Sequence, residues 1–246
     1  MKKLLLILSI MTTSLTSFGQ IGITVGTDAY STYYWRGTKL GGAAVQPSVD
    51  YLSPIGLGVN VWSSFHGDEG FGKSEIDYSL YYSYAFENFT LSAGYINYVV
   101  TAGAPFGDDV DTSDVAKSVS NVSELNVGVS FPTVLLSPSV KFYYNVGTSD
   151  GAALAKYKKY IEASGSYSIA LNETYSLNTS LTLGLGDDYY GDASFGIVNI
   201  LPKVSLPLTF SGVSVTPSIA YGYNPSAFPG ADKGFFLAGV GVYYAF

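Results

Sequence analysis

The chain has no cysteine, which removes disulfide frameworks, thiolate metal sites and the lipidated cysteine of a lipoprotein together. Charge is scarce too: Asp, Glu, Lys and Arg make up 13% of the residues, against roughly 25% in soluble domains. Long apolar runs are missing. The stretch from Leu4 to Met11 covers about 8 residues, where a membrane helix needs about 20, and nothing after it resembles a spanning helix. With one histidine, His66, the chain is poorly equipped for general acid–base chemistry. No zinc-ligand cluster, phosphate-cradling loop or cofactor fingerprint is present, so no cofactor is expected.

Against these absences, 47% of the residues are apolar, and Tyr and Phe are abundant at 22 and 14. A closed transmembrane barrel reconciles the two facts, because its apolar residues occupy alternate positions facing lipid and never form a long run. Aromatic residues gather at both of its lipid–water interfaces.

The first residues read as a secretory leader: Lys2 and Lys3, the apolar run, then a small and polar tail over Thr12 to Gly19, with Ser17 and Gly19 fitting a cut before Gln20. The expected organisation is a leader over 1–19 and one barrel over 20–246. Loss of the leader takes the formal charge from −7 to −9, which disfavours nucleic-acid binding.

Period-two alternation recurs along the mature chain. Ile76, Tyr78, Leu80, Tyr82, Tyr84 and Phe86 share one face while Glu75, Asp77, Ser79, Tyr81 and Ser83 share the other. Tyr175 to Gly186 repeats the pattern with leucines opposed to Ser, Thr, Asn and Gly. Strands are expected at about 21–35, 43–53, 57–66, 74–86, 89–100, 122–131, 139–148, 159–170, 175–186, 196–210, 213–223 and 235–246. The fold class is therefore all-β, a single antiparallel transmembrane barrel of about 12 strands. An even number places both termini on one side, and the connections alternate accordingly between tight turns and longer loops. A β-sandwich would carry charge on its outward face and shorter strands. Pro202 and Pro207 disturb the strand at 196–210, where a bulge or a strand beginning near Lys203 is expected.

The last strand carries an apolar stripe of Phe236, Ala238, Val240, Val242, Tyr244 and Phe246. A terminal aromatic strand of this form resembles the signal read by the outer-membrane barrel assembly machinery, an expected partner beside outer-membrane lipids. The expected location is the bacterial outer membrane, and the expected state a monomer.

Tyr33-Tyr34-Trp35-Arg36-Gly37, Ala44-Val45-Gln46 with Asp50-Tyr51, Gly56, Val61-Trp62-Ser63-Ser64, Glu75-Ile76-Asp77-Tyr78 and Gly94-Tyr95 with Tyr98 form an ordered set that resembles the TorF-like porin family, also called Gcw_chp. Weaker echoes follow at Ser123 to Val129 and Tyr160 to Glu162. The resemblance implies an outer-membrane protein of porin type.

On the polar side of the alternation, Asp28 and Arg36 on the first strand, Asp50, Glu75, Asp77, Glu124, Lys141 and Glu162 are the candidate lumen residues. Acids outnumber bases, so a water-filled pore passing small hydrophilic solutes is expected to prefer cations weakly. The competing reading is a filled barrel in which Arg36 and Lys141 neutralise neighbouring acids. Inward Trp62, Tyr81 and Tyr143, or a folded-in loop at 101–121, would narrow the passage. An enzymatic alternative, a lipid or peptide hydrolase, rests on His66 near Ser63, Ser64, Asp68 and Glu69, where Ser63 and Ser64 occupy opposite faces. Asp108, Asp109, Asp111 and Asp114 lack the Gly and terminal Glu of a calcium loop, and read as a solvated acidic loop. A non-conducting structural or adhesin barrel is the third class.

Overall fold

A computed structural model describes residues 22–66, 73–102, 119–148, 157–188, 190–191 and 194–246. The expected leader lies outside the described residues, as do Asp68, Glu69, Asp108, Asp109, Asp111, Asp114, Asp150 and Asp192.

The strands are β1 (Ile23–Tyr30), β2 (Tyr33–Trp35), β3 (Thr38–Gly41), β4 (Ala44–Leu52), β5 (Leu57–His66), β6 (Lys73–Ala85), β7 (Thr90–Ala102), β8 (Val119–Ser130), β9 (Ser139–Thr148), β10 (Lys159–Ala170), β11 (Ser176–Asp187), β12 (Phe195–Ser205), β13 (Leu208–Phe210), β14 (Val213–Tyr223) and β15 (Gly234–Ala245). From β4 to β12 each pairs antiparallel with the next; β1 joins β4 to β15, and β14 joins β15 to β12. The result is a closed barrel of 12 spanning strands, with β13 a short continuation of β12 along β14 and β2–β3 a separate hairpin. Closure leaves no unpaired sheet edge, the condition for placing strands in hydrocarbon. Most spanning strands run 10–13 residues, matching the roughly 9–11 that cross a bilayer at a tilt.

Burial follows the alternation. On β6, Ile76, Tyr78, Leu80, Tyr82 and Tyr84 are exposed on the outside, while Glu75, Asp77, Ser79, Tyr81 and Ser83 turn inward. Val49, Val59, Val127, Leu181 and Val240 continue the apolar exterior around the barrel. At the short-turn end an aromatic rim closes it, with Phe86 stacked on Phe89 at 4.5 Å and Tyr244 edge-on to Phe246 at 4.8 Å. In water this exterior would be an aggregation surface; in a bilayer it is the solvated one.

Two expectations change. Pro202 sits inside β12, which begins at Phe195 and not near Lys203. The strand tolerates it because the β12–β14 ladder passes from Ile200↔Tyr223 to Lys203↔Ala220 without a pair between, so the missing N–H falls in a gap. The expected irregularity lies just before it, as a register shift that leaves Val198 between the β11 partners of Ile197 and Asn199. Pro207 falls in the break between β12 and β13.

The second change is larger. β1 ends at Tyr30, and Tyr30 pairs directly with Ala44 of β4. Tyr33 to Arg36, expected at the end of the first strand, leave the wall and build the β2–β3 hairpin. Arg36 and Gly37 both have positive φ, 47° and 91°, the signature of a two-residue type I′ turn.

Candidate functional site

The hairpin lies inside the barrel. On one side the Tyr33 ring meets His66 of β5 at 4.6 Å and its hydroxyl donates to Glu75 Oε2 of β6 at 2.7 Å. On another, the Tyr34 hydroxyl donates to Asn199 Oδ1 of β12 at 2.8 Å, and its ring covers Gly222 of β14, where a Cβ would stand 2.3 Å from it. Trp35 tilts against Tyr98 of β7 at 6.0 Å and Tyr190 at 5.7 Å. Contacts to β5–β7, β12 and β14 in one small element are possible only if it crosses the lumen. The long loops identify this as the outer end.

Arg36, at the hairpin tip and 8% exposed, is the centre of the arrangement. Its Nη1 donates to Glu124 Oε2 at 2.6 Å and its Nη2 to Glu124 Oε1 at 2.9 Å, a two-pronged match between guanidinium and carboxylate. Nη1 also donates to the Tyr190 hydroxyl at 3.0 Å, and the Tyr98 hydroxyl donates to Glu124 Oε1 at 2.9 Å. Rings surround the cation: its Cζ lies 4.1 Å from the Tyr143 ring, 4.6 Å from Tyr160 and 4.6 Å from Trp35. Removing either charge would leave the other buried and unpaired, at a cost of about 3–5 kcal/mol.

The other sequence candidates occupy the inward face. Asp28 of β1 accepts from the Tyr243 hydroxyl. Asp50 of β4 accepts from the Tyr81 hydroxyl at 2.8 and 3.0 Å. Glu75 and Asp77 are neighbours on the inner face of β6, and Asp77 Oδ1 has no hydrogen-bond partner among the described residues. Lys141 of β9 stands opposite Glu162 of β10 in register, its Nζ 5.2 Å from the Tyr143 ring. Glu124, Glu162, Lys141 and Arg36 therefore form one group, whereas Asp28 and Asp50 lie nearer the short-turn end. Arg36 reaches its place from the hairpin and not from the first strand. Sequence reading passed over Lys203, which pairs in register with inward Ser180 and Ala220 and is within electrostatic reach of Asp28. Among the described residues, the segment that folds inward is the first loop, between β1 and β4. The loop at 101–121, expected in that role, lies almost wholly outside the described residues.

The short-turn half of the lumen has a different character. Rungs of register-matched residues, Ser139↔Ser164↔Thr182, Ser166↔Ser180↔Lys203 and Ser168↔Asn178↔Ser205, line the wall from β9 to β12, all of them small and polar except Lys203.

Ser64 and His66 do meet, with Oγ and Nδ1 3.0 Å apart, and Gln46 Nε2 donates to the same Oγ at 3.3 Å. Ser64 is 0% exposed and His66 3%. With its hydroxyl enclosed, Ser64 takes the Gln46 bond that ties β4 to β5 beneath Tyr33 and presents no accessible nucleophile. Outside the spanning strands, Lys158 and Asp188 form an ion pair between neighbouring loops, which lowers the pKa of Asp188 and raises that of Lys158.

No protein-family model matches the chain, and no curated protein sequence does. Solved structures do. The KdgM porin superimposes with a TM-score of 0.54 at 12% identity, over 91% of this chain and 99% of that one. The same porin in complex with disordered oligogalacturonate gives 0.53 at 12% identity, over 91% and 98%. The NanC porin gives 0.51 at 12% identity, over 90% and 98%. At such identity the likeness concerns the fold alone: this chain has the closed antiparallel β-barrel fold seen in these porins.

Proposed function

We propose that this protein is a bacterial outer-membrane channel for passive diffusion of small hydrophilic solutes, narrowed at its outer end by the inward β2–β3 hairpin. The observation that carries the reading is the lumen itself, a closed polar interior whose short-turn half carries rungs of Ser, Thr and Asn from β9 to β12, with Asp28, Asp50 and Lys203 on the same inner face. A polar inner face must meet water or other side chains, and the small residues of this arc favour water.

The inward carboxylates Asp28, Asp50, Glu75, Asp77, Glu124 and Glu162 outnumber Arg36, Lys141 and Lys203. That excess supports a weak preference for cations and neutral solutes, and argues against a polyanion such as the oligogalacturonate bound to the KdgM porin. The resemblance to the TorF-like family belongs to this reading, and its first motif, Tyr33 to Gly37, covers β2 and the turn of the hairpin. Cleavage before Gln20, handling by the barrel assembly machinery through the strand ending at Phe246, and a monomeric state complete the proposal.

The hairpin also favours a second reading, a barrel that does not conduct. Conductance in planar bilayers separates the two, measured on the wild type and on a variant with residues 31–43 replaced by a short Gly-Ser link. Because Tyr30 already pairs with Ala44, that link joins two adjacent strand ends and leaves the wall intact. Conductance that rises in the variant supports a channel with an outer constriction; silence from both proteins supports the closed reading.

A further inference from the structure

Arg36 reaches Glu124 from the hairpin, while the other groups described around its guanidinium, except Trp35, come from the barrel side: Tyr98 of β7, Glu124 of β8, Tyr143 of β9, Tyr160 of β10 and Tyr190 of the loop between β11 and β12. The barrel residues also hold one another. The Tyr160 hydroxyl accepts from Asn199 Nδ2 at 3.2 Å, and the Tyr190 carbonyl accepts from Asn224 Nδ2 at 3.0 Å. Tyr143, Tyr160 and Tyr190 pack with Val198 into one buried cluster. What remains when Arg36 is set aside is a carboxylate with both oxygens presented in one plane, walled by aromatic faces.

That chemistry selects a particular ligand. A planar guanidinium offers paired N–H donors to both carboxylate oxygens and lays its face on aromatic rings, whereas an ammonium binds as a hydrated point charge. We infer that Glu124, Tyr98, Tyr143, Tyr160 and Tyr190 form a binding site for small guanidinium-bearing cations, and that Arg36 is its built-in occupant while the hairpin is seated. The inference deepens the channel reading and rests on it for one consequence only: a guanidinium solute competing with Arg36 loosens the constriction. A tethered group acts at an effective concentration in the millimolar range, so an external ligand binds the intact protein weakly and a vacated site more tightly.

Isothermal titration of the detergent-solubilised barrel with methylguanidinium at millimolar concentration tests the site without requiring conduction. Arg36→Ala is expected to give saturable heat, at least about tenfold tighter than wild type. The same ligand should give no saturable heat with Arg36→Ala/Glu124→Gln, and methylammonium should bind Arg36→Ala far more weakly. The 31–43 replacement vacates the same site by another route and is expected to bind like Arg36→Ala. In Trp62→Phe protein, where Trp35 is the remaining tryptophan, higher methylguanidinium should shift its emission as the hairpin leaves. Equal binding by methylammonium, binding that survives Glu124→Gln, or no binding to either vacated barrel overturns the inference. A barrel that binds methylguanidinium but never conducts keeps the site and removes the channel reading; one that conducts without binding does the reverse.

Discussion

Gly37 and Val198 approach so closely that a Cβ on Gly37 would stand 1.7 Å from the Val198 carbonyl oxygen. The contact joins the hairpin turn to the irregular residue of β12, and it coincides with a backbone φ of 91° that side chains other than hydrogen rarely adopt. Gly37→Val is therefore expected to unseat the hairpin while sparing the wall. The left-handed conformation alone costs about 1–2 kcal/mol, and the overlap with Val198 adds to it. Single-channel recordings should show larger or noisier conductance with unchanged heat-modifiable gel mobility. Wild-type conductance in this variant would mean that the hairpin does not set the narrow point.

Glu124→Gln removes one half of the buried pair and leaves the Arg36 guanidinium unmatched, a loss of about 3–5 kcal/mol to the seated hairpin. The strands do not depend on it. Folding into vesicles should proceed normally, while current fluctuations increase as the hairpin exchanges between seated and released positions. A fully steady current would argue that aromatic packing alone holds the element.

Leu80 and Ser79 are neighbours near the middle of β6 that face opposite ways. Leu80→Arg places a charge toward the bilayer midplane and is expected to lower folding stability by about 2–4 kcal/mol, read from urea titration of vesicle-folded protein. Ser79→Arg meets a polar interior and should cost far less, changing ion selectivity instead. Equal destabilisation by both would contradict the assigned faces.

Much of this was legible in the sequence for a simple reason. Strands such as β5, β9, β10 and β14 carry strict alternation between lipid-facing and lumen-facing residues and end at recognisable turn residues, so their limits agree with expectation. The inward positions of Glu75, Asp77, Glu124, Lys141 and Glu162 follow from the same periodicity. The hairpin was not legible, because Tyr33 to Arg36 continue the aromatic alternation of β1 and Arg-Gly is a weaker turn signal than Asn-Gly or Asp-Gly. Gly37 was the available clue. Lys203 was hidden by Pro202, whose place in a spanning strand depends on a gap in the ladder that only three-dimensional pairing reveals.

Ser64 and His66 test the enzymatic alternative. Their contact is enclosed beneath Tyr33 and shared with Gln46, so the wild type, Ser64→Ala and His66→Ala are all expected to stay at the blank level in lipid and peptide hydrolysis assays. Hydrolysis by the wild type that either substitution abolishes would move the protein to another functional class.

The most direct measurement is reversal potential across a salt gradient in planar bilayers, made on the wild type and on the 31–43 replacement. Conductance is expected from the wild type and should increase when the hairpin is replaced. The reversal potential should have the cation-preferring sign and shrink as salt screens Asp28, Asp50, Glu75, Asp77, Glu124 and Glu162. Absence of conductance from both proteins would contradict the channel assignment, and a clear anion preference would contradict the role given to those carboxylates.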